Sequence, residues 1–328
     1  MLRGGAYADR AVQGTNDDAS VSKMSCVRMG YFEDEFLTYF VRRQARRPPI
    51  INRGYFARVQ AIRQLLGAFL KTFDAGSGTV DAQVLSVGAG WDTTYFRLKA
   101  GGMQPKRYVE LDHKEVTASK CNCIKHNEAL SGMVAADAEI NVMGGALTSE
   151  RYAILPCDLR DINAVDSAAK RAGLDPELPT LVLAECVLAY MEGGATEALL
   201  GWVGERFAEC VVVIYDMHSP SDPFGQQLIL NVQARGCPLP GIFHFPTIAS
   251  HADLLRRHGF QTQGVSDMLA VYDSFLDKGE KLRAERIELL DEFEEWRLIM
   301  GHYLLSCGAK GPKASALLRE TGVSIAAS

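Results

Sequence analysis

The sequence predicts an α/β protein with a doubly wound, mostly parallel sheet of seven strands and an N-terminal helical cap. Through the middle of the chain, short apolar runs alternate with amphipathic helical segments, which is typical of a parallel sheet covered on both faces. The run at 84–87 ends in two closely spaced glycines, Gly88 and Gly90, followed by polar residues that can open a helix. A strand, a tight glycine turn and a helix start form the usual binding place for a nucleotide-like ligand.

The chain divides into four parts along its length. Residues 1–14 are small and polar, and we expect them to be disordered. Residues 15–73 form the helical cap, or lid, in which Asp17, Asp18 and Ser20 can cap a first helix. Further helices are predicted at 34–44 and 52–73, where apolar residues recur at steps of three and four. Residues 74–310 form the core, and no structure is assigned to the tail at 311–328.

Within the core, each apolar run is assigned in order to a strand or a helix. Strands are predicted at 83–87, 107–111, 151–155, 180–184, 211–215, from about 259, and 302–307. Helices are predicted at 113–125, 196–207, 224–234 and 248–258, and the segment 280–293 is charged and amphipathic. The stretch 131–150 is rich in Gly, Ala and Asn, and we interpret it as a long insertion.

Composition excludes several classes of protein. The 328 residues carry a net charge of −5, which argues against bulk binding of nucleic acid. No apolar run approaches the roughly 20 residues of a membrane span, and the first residues lack the apolar centre of a signal peptide, so we expect a cytoplasmic protein. Cys121 and Cys123 are the only closely spaced cysteines, and without a second pair we predict no metal site.

Acidic residues end or directly follow four of the predicted strands. They are Asp112, Asp158, Glu185 and Asp216, and the carboxyl ends of parallel strands line the ligand crevice of an open sheet. Asp112 lies about 20 residues beyond the glycine turn, where a ribose-binding acid is expected. Each acid could equally be a helix N-cap. Four of them in register with a glycine turn favour a ligand site.

The glycine turn alone does not identify the cofactor. A dinucleotide-binding turn requires a third glycine where this chain has Thr93. The shorter turn suits S-adenosylmethionine enzymes, although many of these carry an acid where this chain has Ser86. The turn therefore leaves a methyltransferase and an NAD-dependent oxidoreductase both possible.

Longer strings, from about residue 12 to 310, carry a specific family resemblance. They are residues 12–15 (VQGT), 18–20 (DAS), 51–59 (INRGYFARV), 87–94 (VGAGWDTT), 157–161 (CDLRD), 183–191 (LAECVLAYM) and 222–226 (DPFGQ). The sequence thereby resembles leucine carboxyl methyltransferases, which have the S-adenosylmethionine-dependent methyltransferase fold. The resemblance implies methyl transfer from S-adenosylmethionine to the α-carboxylate of the C-terminal leucine of the protein phosphatase 2A catalytic subunit.

The same resemblance implies roles for individual residues. Lys23 and Arg58 match positions that hold the cofactor through its methionyl carboxylate, and Glu185 matches the acid that balances the methionyl ammonium. The remaining matches are Gly88, with Gly90 beside it, at the cofactor turn, Asp112 at the ribose, and Asp158 with Leu159 at the adenine. Glu110 shares a strand face with Asp112 by alternation, but no family match gives it a role.

The acceptor chemistry implied by the resemblance requires no general base. A peptide α-carboxylate has a reference pKa of roughly 3.5 and is already ionised at pH 7. Arg53 and Tyr190 are candidates to orient it. Two other functions stay open: a related methyltransferase for another carboxyl acceptor, such as one in a modified transfer-RNA base, and a non-catalytic phosphatase-binding regulator. The negative charge and lack of an appended domain disfavour the first, and the intact acids disfavour the second. We expect a monomer.

Overall fold

The computed structural model describes residues 2–41, 43–76 and 78–323, with side chains from residue 9 onward. Its strands, in chain order, are β1 Val80–Val87, β2 Pro105–Asp112, β3 Glu139–Asn141, β4 Ala146–Thr148, β5 Tyr152–Pro156, β6 Thr180–Glu185, β7 Cys210–Met217, β8 Thr262–Asp267 and β9 Tyr303–Lys310. The first helices are α1 Leu2–Met29, α2 Leu37–Phe40, α3 Pro49–Thr72, α4 Thr94–Ala100, α5 Lys114–His126, α6 Glu128–Ser131, α7 Ile162–Arg171 and α8 Gly193–Arg206. The later ones are α9 Pro223–Gln233, α10 Pro240–His244, α11 Ile248–Arg257, α12 Met268–Ala270, α13 Lys278–Glu285, α14 Phe293–Met300 and α15 Pro312–Thr321. Leu188–Tyr190 forms a 3₁₀ turn and Val271–Phe275 a π turn.

The strands form a single sheet in the order β3-β4-β5-β2-β1-β6-β7-β9-β8. All seven predicted strands are present, but the sheet has nine, because the stretch predicted to be an insertion adds the antiparallel pair β3 and β4 at one edge. The five central strands are parallel, and β9 runs antiparallel between β7 and β8. The strand order changes direction at β1, between β2 and β6, which creates the crevice where open sheets bind ligands.

Alternating side chains of the central strands pack into two apolar layers. Val84 and Leu181 face the layer that also contains the cap helices. Leu85 and Val182 face the layer formed with α7, α8 and α11. Because both faces are covered, the strands are apolar throughout, as the continuous runs in the sequence predicted.

Several helices begin or end at other residues than the sequence predicted. In the described part of 34–44, only Leu37–Phe40 is helical, and the following chain runs beside α1, where the Arg47 backbone N–H donates to Ser25 Oγ at 2.9 Å. The amphipathic segment 280–293 contains the end of α13 and the first residue of α14, and between them Glu288 turns inward to accept a hydrogen bond from Asn52 Nδ2 at 2.8 Å. Pro49 begins α3, where its missing N–H costs no hydrogen bond.

The two ends of the chain contain more structure than the sequence predicted. The segment expected to be disordered is helical from Leu2 and belongs to α1. The tail contains α15, in which Ala314, Leu317 and Leu318 are buried against the core. Residues 1 and 324–328, which also fall in these two segments, lie outside the described residues.

A buried ion pair crosses from the sheet to α5. Lys120 Nζ lies 2.5 Å from Glu110 Oε2 and donates to the Asp92 carbonyl oxygen at 2.7 Å, while the Tyr152 hydroxyl donates to Glu110 Oε1 at 2.8 Å. Both charged side chains are 1% exposed. Burial raises the pKa of Glu110 to about 7, although the Lys120 charge opposes this shift. Both carboxylate oxygens of Glu110 thus have partners inside the core, Lys120 for one and Tyr152 for the other.

We predict that Lys120→Met destabilises the protein by about 3–5 kcal/mol, because it leaves a buried carboxylate without its cation. Lys106→Met is the matched control, since Lys106 pairs with Asp81 at 2.8 Å with both side chains about half exposed. We expect the control to cost less than about 1 kcal/mol. Chemical denaturation measures both free energies of unfolding, and equal losses would show that the Glu110 pair has no special structural role.

Candidate active site

A cavity lies at the carboxyl ends of β1, β2 and β6, beneath the first half of α1. Every residue predicted to bind the cofactor lines this cavity, and so does the candidate Tyr190: Lys23, Arg58, Gly88, Gly90, Asp112, Asp158, Leu159, Glu185 and Tyr190. The fold thus brings together side chains that are far apart in the sequence.

The glycine turn is built for close approach of the backbone. Gly88 and Gly90 have φ of +61° and +51°, a region that side chains rarely adopt. A Cβ on Gly88 would lie 2.6 Å from Val187 Cγ2, and a Cβ on Gly90 would collide with Asn16 Oδ1. Glycine is therefore required at both positions for conformational and steric reasons.

Asp112 is fixed at this turn by two backbone donors. The Gly90 N–H donates to Asp112 Oδ2 at 2.7 Å, and the His113 N–H donates to Asp112 Oδ1 at 2.7 Å. Burial raises the pKa of Asp112, and the two backbone hydrogen bonds oppose this shift. Each carboxylate oxygen keeps acceptor capacity toward the cavity, as a ligand with paired hydroxyl groups requires.

Two cations from different helices converge on Glu185, at the end of β6. Lys23 Nζ, from α1, lies 3.0 Å from Glu185 Oε1, and Arg58 Nε, from α3, donates to the same oxygen. Burial disfavours ionisation, but the charges of Arg58 and Lys23 outweigh it and hold the pKa of Glu185 at about 2. The guanidinium of Arg58 also lies over the rings of Tyr55 and Tyr215, 5.3 and 4.7 Å from their centroids. The group contains two positive charges and one negative charge.

Asp158 lies on the opposite side of the cavity and is held by an arginine that sequence reasoning missed. Arg160 donates to Asp158 from Nε and from Nη2, each at 2.8 Å, and these hydrogen bonds lower the pKa of Asp158. Asn16 was also missed. Its Oδ1 accepts from the Trp91 N–H at 2.9 Å, which ties α1 to the glycine turn. Both residues lie in the strings that carried the resemblance or directly beside them.

Arg53, predicted to orient an acceptor, does not line this cavity. Its Nη2 donates to the Glu288 carbonyl oxygen at 3.1 Å and holds the chain between α13 and α14. Arg53 and Arg58 are separated by about 140° around the axis of α3 because an α-helix turns by about 100° per residue. The two arginines therefore serve opposite sides of one helix.

Of the four acids that the sequence predicted at strand ends, Asp216 alone does not line the cavity. Its Oδ2 accepts from the Ala189 N–H and its Oδ1 from the Met217 N–H, both at 2.9 Å. Burial raises its pKa to about 6, while the backbone donors oppose this shift. Asp216 holds the 3₁₀ turn Leu188–Tyr190, so it supports Tyr190 from behind.

Two features are absent from the described part of the chain. Among the described residues, no group of three or more His, Cys, Asp or Glu side chains is arranged to hold a metal ion. None of the helices within residues 2–41, 43–76 and 78–323 is both long and apolar enough to cross a bilayer.

The order of the sheet and the crevice at its carboxyl edge are those of a methyltransferase fold. A solved structure of a putative methyltransferase from Thermobifida fusca YX superposes with a TM-score of 0.50 at 14% identity, over 81% of this chain and 84% of the other. A sequence model of the leucine carboxyl methyltransferase family matches residues 11–204. The chain belongs to the leucine carboxyl methyltransferase family, as its sequence strings predicted, and it is an enzyme of methyl transfer.

Three relatives show the extent of the similarity. The leucine carboxyl methyltransferase 1 homolog of Arabidopsis thaliana is 45% identical over 297 residues, covering 90% of this chain and 88% of the relative. Leucine carboxyl methyltransferase 1 of Bos taurus is 36% identical over 307 residues, covering 92% and 91%. The human tRNA wybutosine-synthesizing protein 4 is 38% identical over 311 residues, which are 94% of this chain but 45% of that protein.

We predict that Glu185→Gln destabilises the protein at pH 7 and that the difference from the wild type narrows as the pH falls below about 4.5. The folded pKa of about 2 lies below the ordinary value of 4.5, so the stabilisation is complete above 4.5 and disappears toward pH 2. Denaturation of both proteins at a series of pH values measures this difference. Glu197→Gln, in a pair with Arg257 that is nearly half exposed, is the control and should show little change at any pH. A constant difference from pH 7 to 3 would contradict the assignment.

Proposed function

We propose that this protein transfers a methyl group from S-adenosylmethionine to the α-carboxylate of a C-terminal leucine, and that the acceptor is the protein phosphatase 2A catalytic subunit. The observation that carries the proposal is the group Lys23–Glu185–Arg58 beside the glycine turn, in a chain of the leucine carboxyl methyltransferase family. S-adenosylmethionine, when bound, supplies an electrophilic methyl group on a positively charged sulfur.

The charged residues along the cavity match the successive parts of this donor. Asp112, fixed by two backbone donors, would accept hydrogen bonds from the ribose hydroxyls. Asp158 and Leu159 would hold the adenine through its amine and its ring face. Glu185 would accept from the methionyl ammonium, while Lys23 and Arg58 would donate to the methionyl carboxylate. The zwitterionic methionyl group thus matches both signs of charge.

The protein's task toward the acceptor is alignment rather than proton transfer. The acceptor carboxylate is ionised at pH 7 and needs no base. Holding it in line with the donor methyl can lower the barrier by about 7–11 kcal/mol. Tyr190 lies in the cavity and is positioned by the turn that Asp216 holds, so its hydroxyl is our candidate to orient one carboxylate oxygen. The net positive charge of the Lys23–Glu185–Arg58 group attracts the anionic acceptor.

A second acceptor is supported by one finding. The human tRNA wybutosine-synthesizing protein 4 is 38% identical to 94% of this chain, so a carboxyl group of a modified transfer-RNA base is the alternative. The net charge of −5 favours the protein acceptor, because binding of nucleic acid depends on basic surface. Supplying labelled donor with each acceptor in turn distinguishes the two. A regulator without catalysis is the third case, and absence of donor binding would support it.

We predict that Arg58→Ala raises the Kd for S-adenosylmethionine by about 10- to 100-fold, since a charge-assisted hydrogen bond contributes about 1.5–3 kcal/mol. Isothermal titration calorimetry measures this change. Arg53→Ala is the matched control, because Arg53 is buried on the same helix but lies outside the cavity. Thermal unfolding of both variants shows that they are folded. Unchanged affinity in Arg58→Ala would refute the assignment of this residue.

We predict that the intact phosphatase catalytic subunit accepts a labelled methyl group and that removal of its terminal leucine abolishes the transfer. A free peptide of the same tail should be a poorer acceptor, because a short tail buries too little area for stable recognition and docking to the folded phosphatase adds more. Equal rates with the peptide would contradict docking. Equal rates without the leucine would contradict the proposed acceptor.

A further inference from the structure

The two halves of α1 are held in different ways. In the second half, Val21, Met24 and Cys26 are buried against the cap. From Asp9 to Ala19, no side chain is fully buried. This first half nevertheless covers the donor cavity, which is lined by Asp9, Val12, Gln13, Thr15, Asn16 and Ala19. The roof of the cavity therefore depends on polar contacts.

Those contacts run along one side of the helix. Asn16 and Asp17 accept from the backbone and the indole N–H of Trp91, both at 2.9 Å, and they hold the middle of α1. Gly14 lies two residues before Asn16 with open space around it, and glycine weakens a helix interior. Beyond Gly14, the outermost contact among the described side chains is made by Asp9.

Arg160 joins Asp9 to the donor site. Its Nη1 and Nη2 donate to Asp9 Oδ1 and Oδ2 at 3.0 and 3.2 Å, while Nε and Nη2 donate to the two oxygens of Asp158 at 2.8 Å. One planar guanidinium thus bridges two carboxylates, each through both oxygens. A lysine ammonium has the same charge but lacks this fork of donors.

We propose that Arg160 is a positioning residue that holds the first half of α1 over the donor cavity through Asp9. It also fixes Asp158 for the donor. Arg160 thereby sets the rates at which the donor enters and leaves. The identity of the donor rests on the proposed function, whereas the closure of α1 does not. The ion pairs of Arg160 with Asp9 and Asp158 can open repeatedly. The three side chains are 32–44% exposed, and exposed ion pairs contribute little free energy. On this proposal each turnover includes one such opening, which releases the demethylated donor.

Hydrogen exchange of the free protein tests the closure without any donor. Asp9→Asn and Arg160→Lys should speed the exchange of amides at 9–15 by about 3- to 5-fold and leave those at 20–29 unchanged. Asp253→Asn, which disrupts an exposed pair with Arg256 on α11, is the control and should change neither segment. Wild-type exchange at 9–15 in both variants would overturn the proposal.

Donor kinetics test the consequence for the site. In stopped-flow measurements, both variants should release S-adenosylmethionine about 3- to 5-fold faster than the wild type and also bind it faster, with a smaller change in Kd. Salt should speed release from the wild type but not from Asp9→Asn, because ions screen the exposed pair. Wild-type rates and salt dependence in Asp9→Asn would overturn the proposal. If the wild type bound no S-adenosylmethionine, the proposed function would fail, and the exchange experiment would still decide the closure.

Discussion

The rest of the site depends on the neutralisation of Glu185. A carboxylate at the end of β6 is surrounded by buried groups and is stable as an anion only because Lys23 and Arg58 reach it. These cations come from α1 and α3, two helices of the cap, so one electrostatic requirement fixes both helices over the carboxyl edge of the sheet. The cap therefore meets the sheet at the cavity. The same two ion pairs that neutralise Glu185 also hold α1 and α3 over that cavity.

Two arginines of α3 contact different parts of the molecule. Arg58 faces the cavity between two tyrosine rings, while Arg53 faces away and binds the carbonyl oxygen of Glu288. Glu288 in turn accepts from Asn52 and pairs with Arg46 at 3.0 Å. The helix is therefore fixed on both sides, by the sheet on one and by the chain between α13 and α14 on the other. Such double anchoring holds the Arg58 guanidinium in place beside Glu185.

The four strand-end acids show how similar sequence positions acquire different roles. Asp112, Asp158 and Glu185 line the cavity, and each has a different partner: backbone amides, a guanidinium, or two cations. Asp216 accepts from two backbone amides behind the 3₁₀ turn and supports Tyr190. In the sequence all four follow apolar strands and look alike. Their roles differ because neighbouring strands, turns and helices bring different donors to each carboxylate.

The sequence by itself predicted the parallel strands of the core and several of the residues that line the cavity. The continuous apolar runs predict buried strands, the spacing of Gly88 and Gly90 predicts a ligand-binding turn, and the strings that contain Arg58 and Glu185 carry the family resemblance. Only the tertiary structure decided the rest. It placed Arg53 outside the cavity, placed Asp216 behind the 3₁₀ turn and made the first residues a helix that contacts Arg160. Those outcomes depend on contacts between residues distant in the chain. Local periodicity does not predict which distant residue a polar side chain will contact.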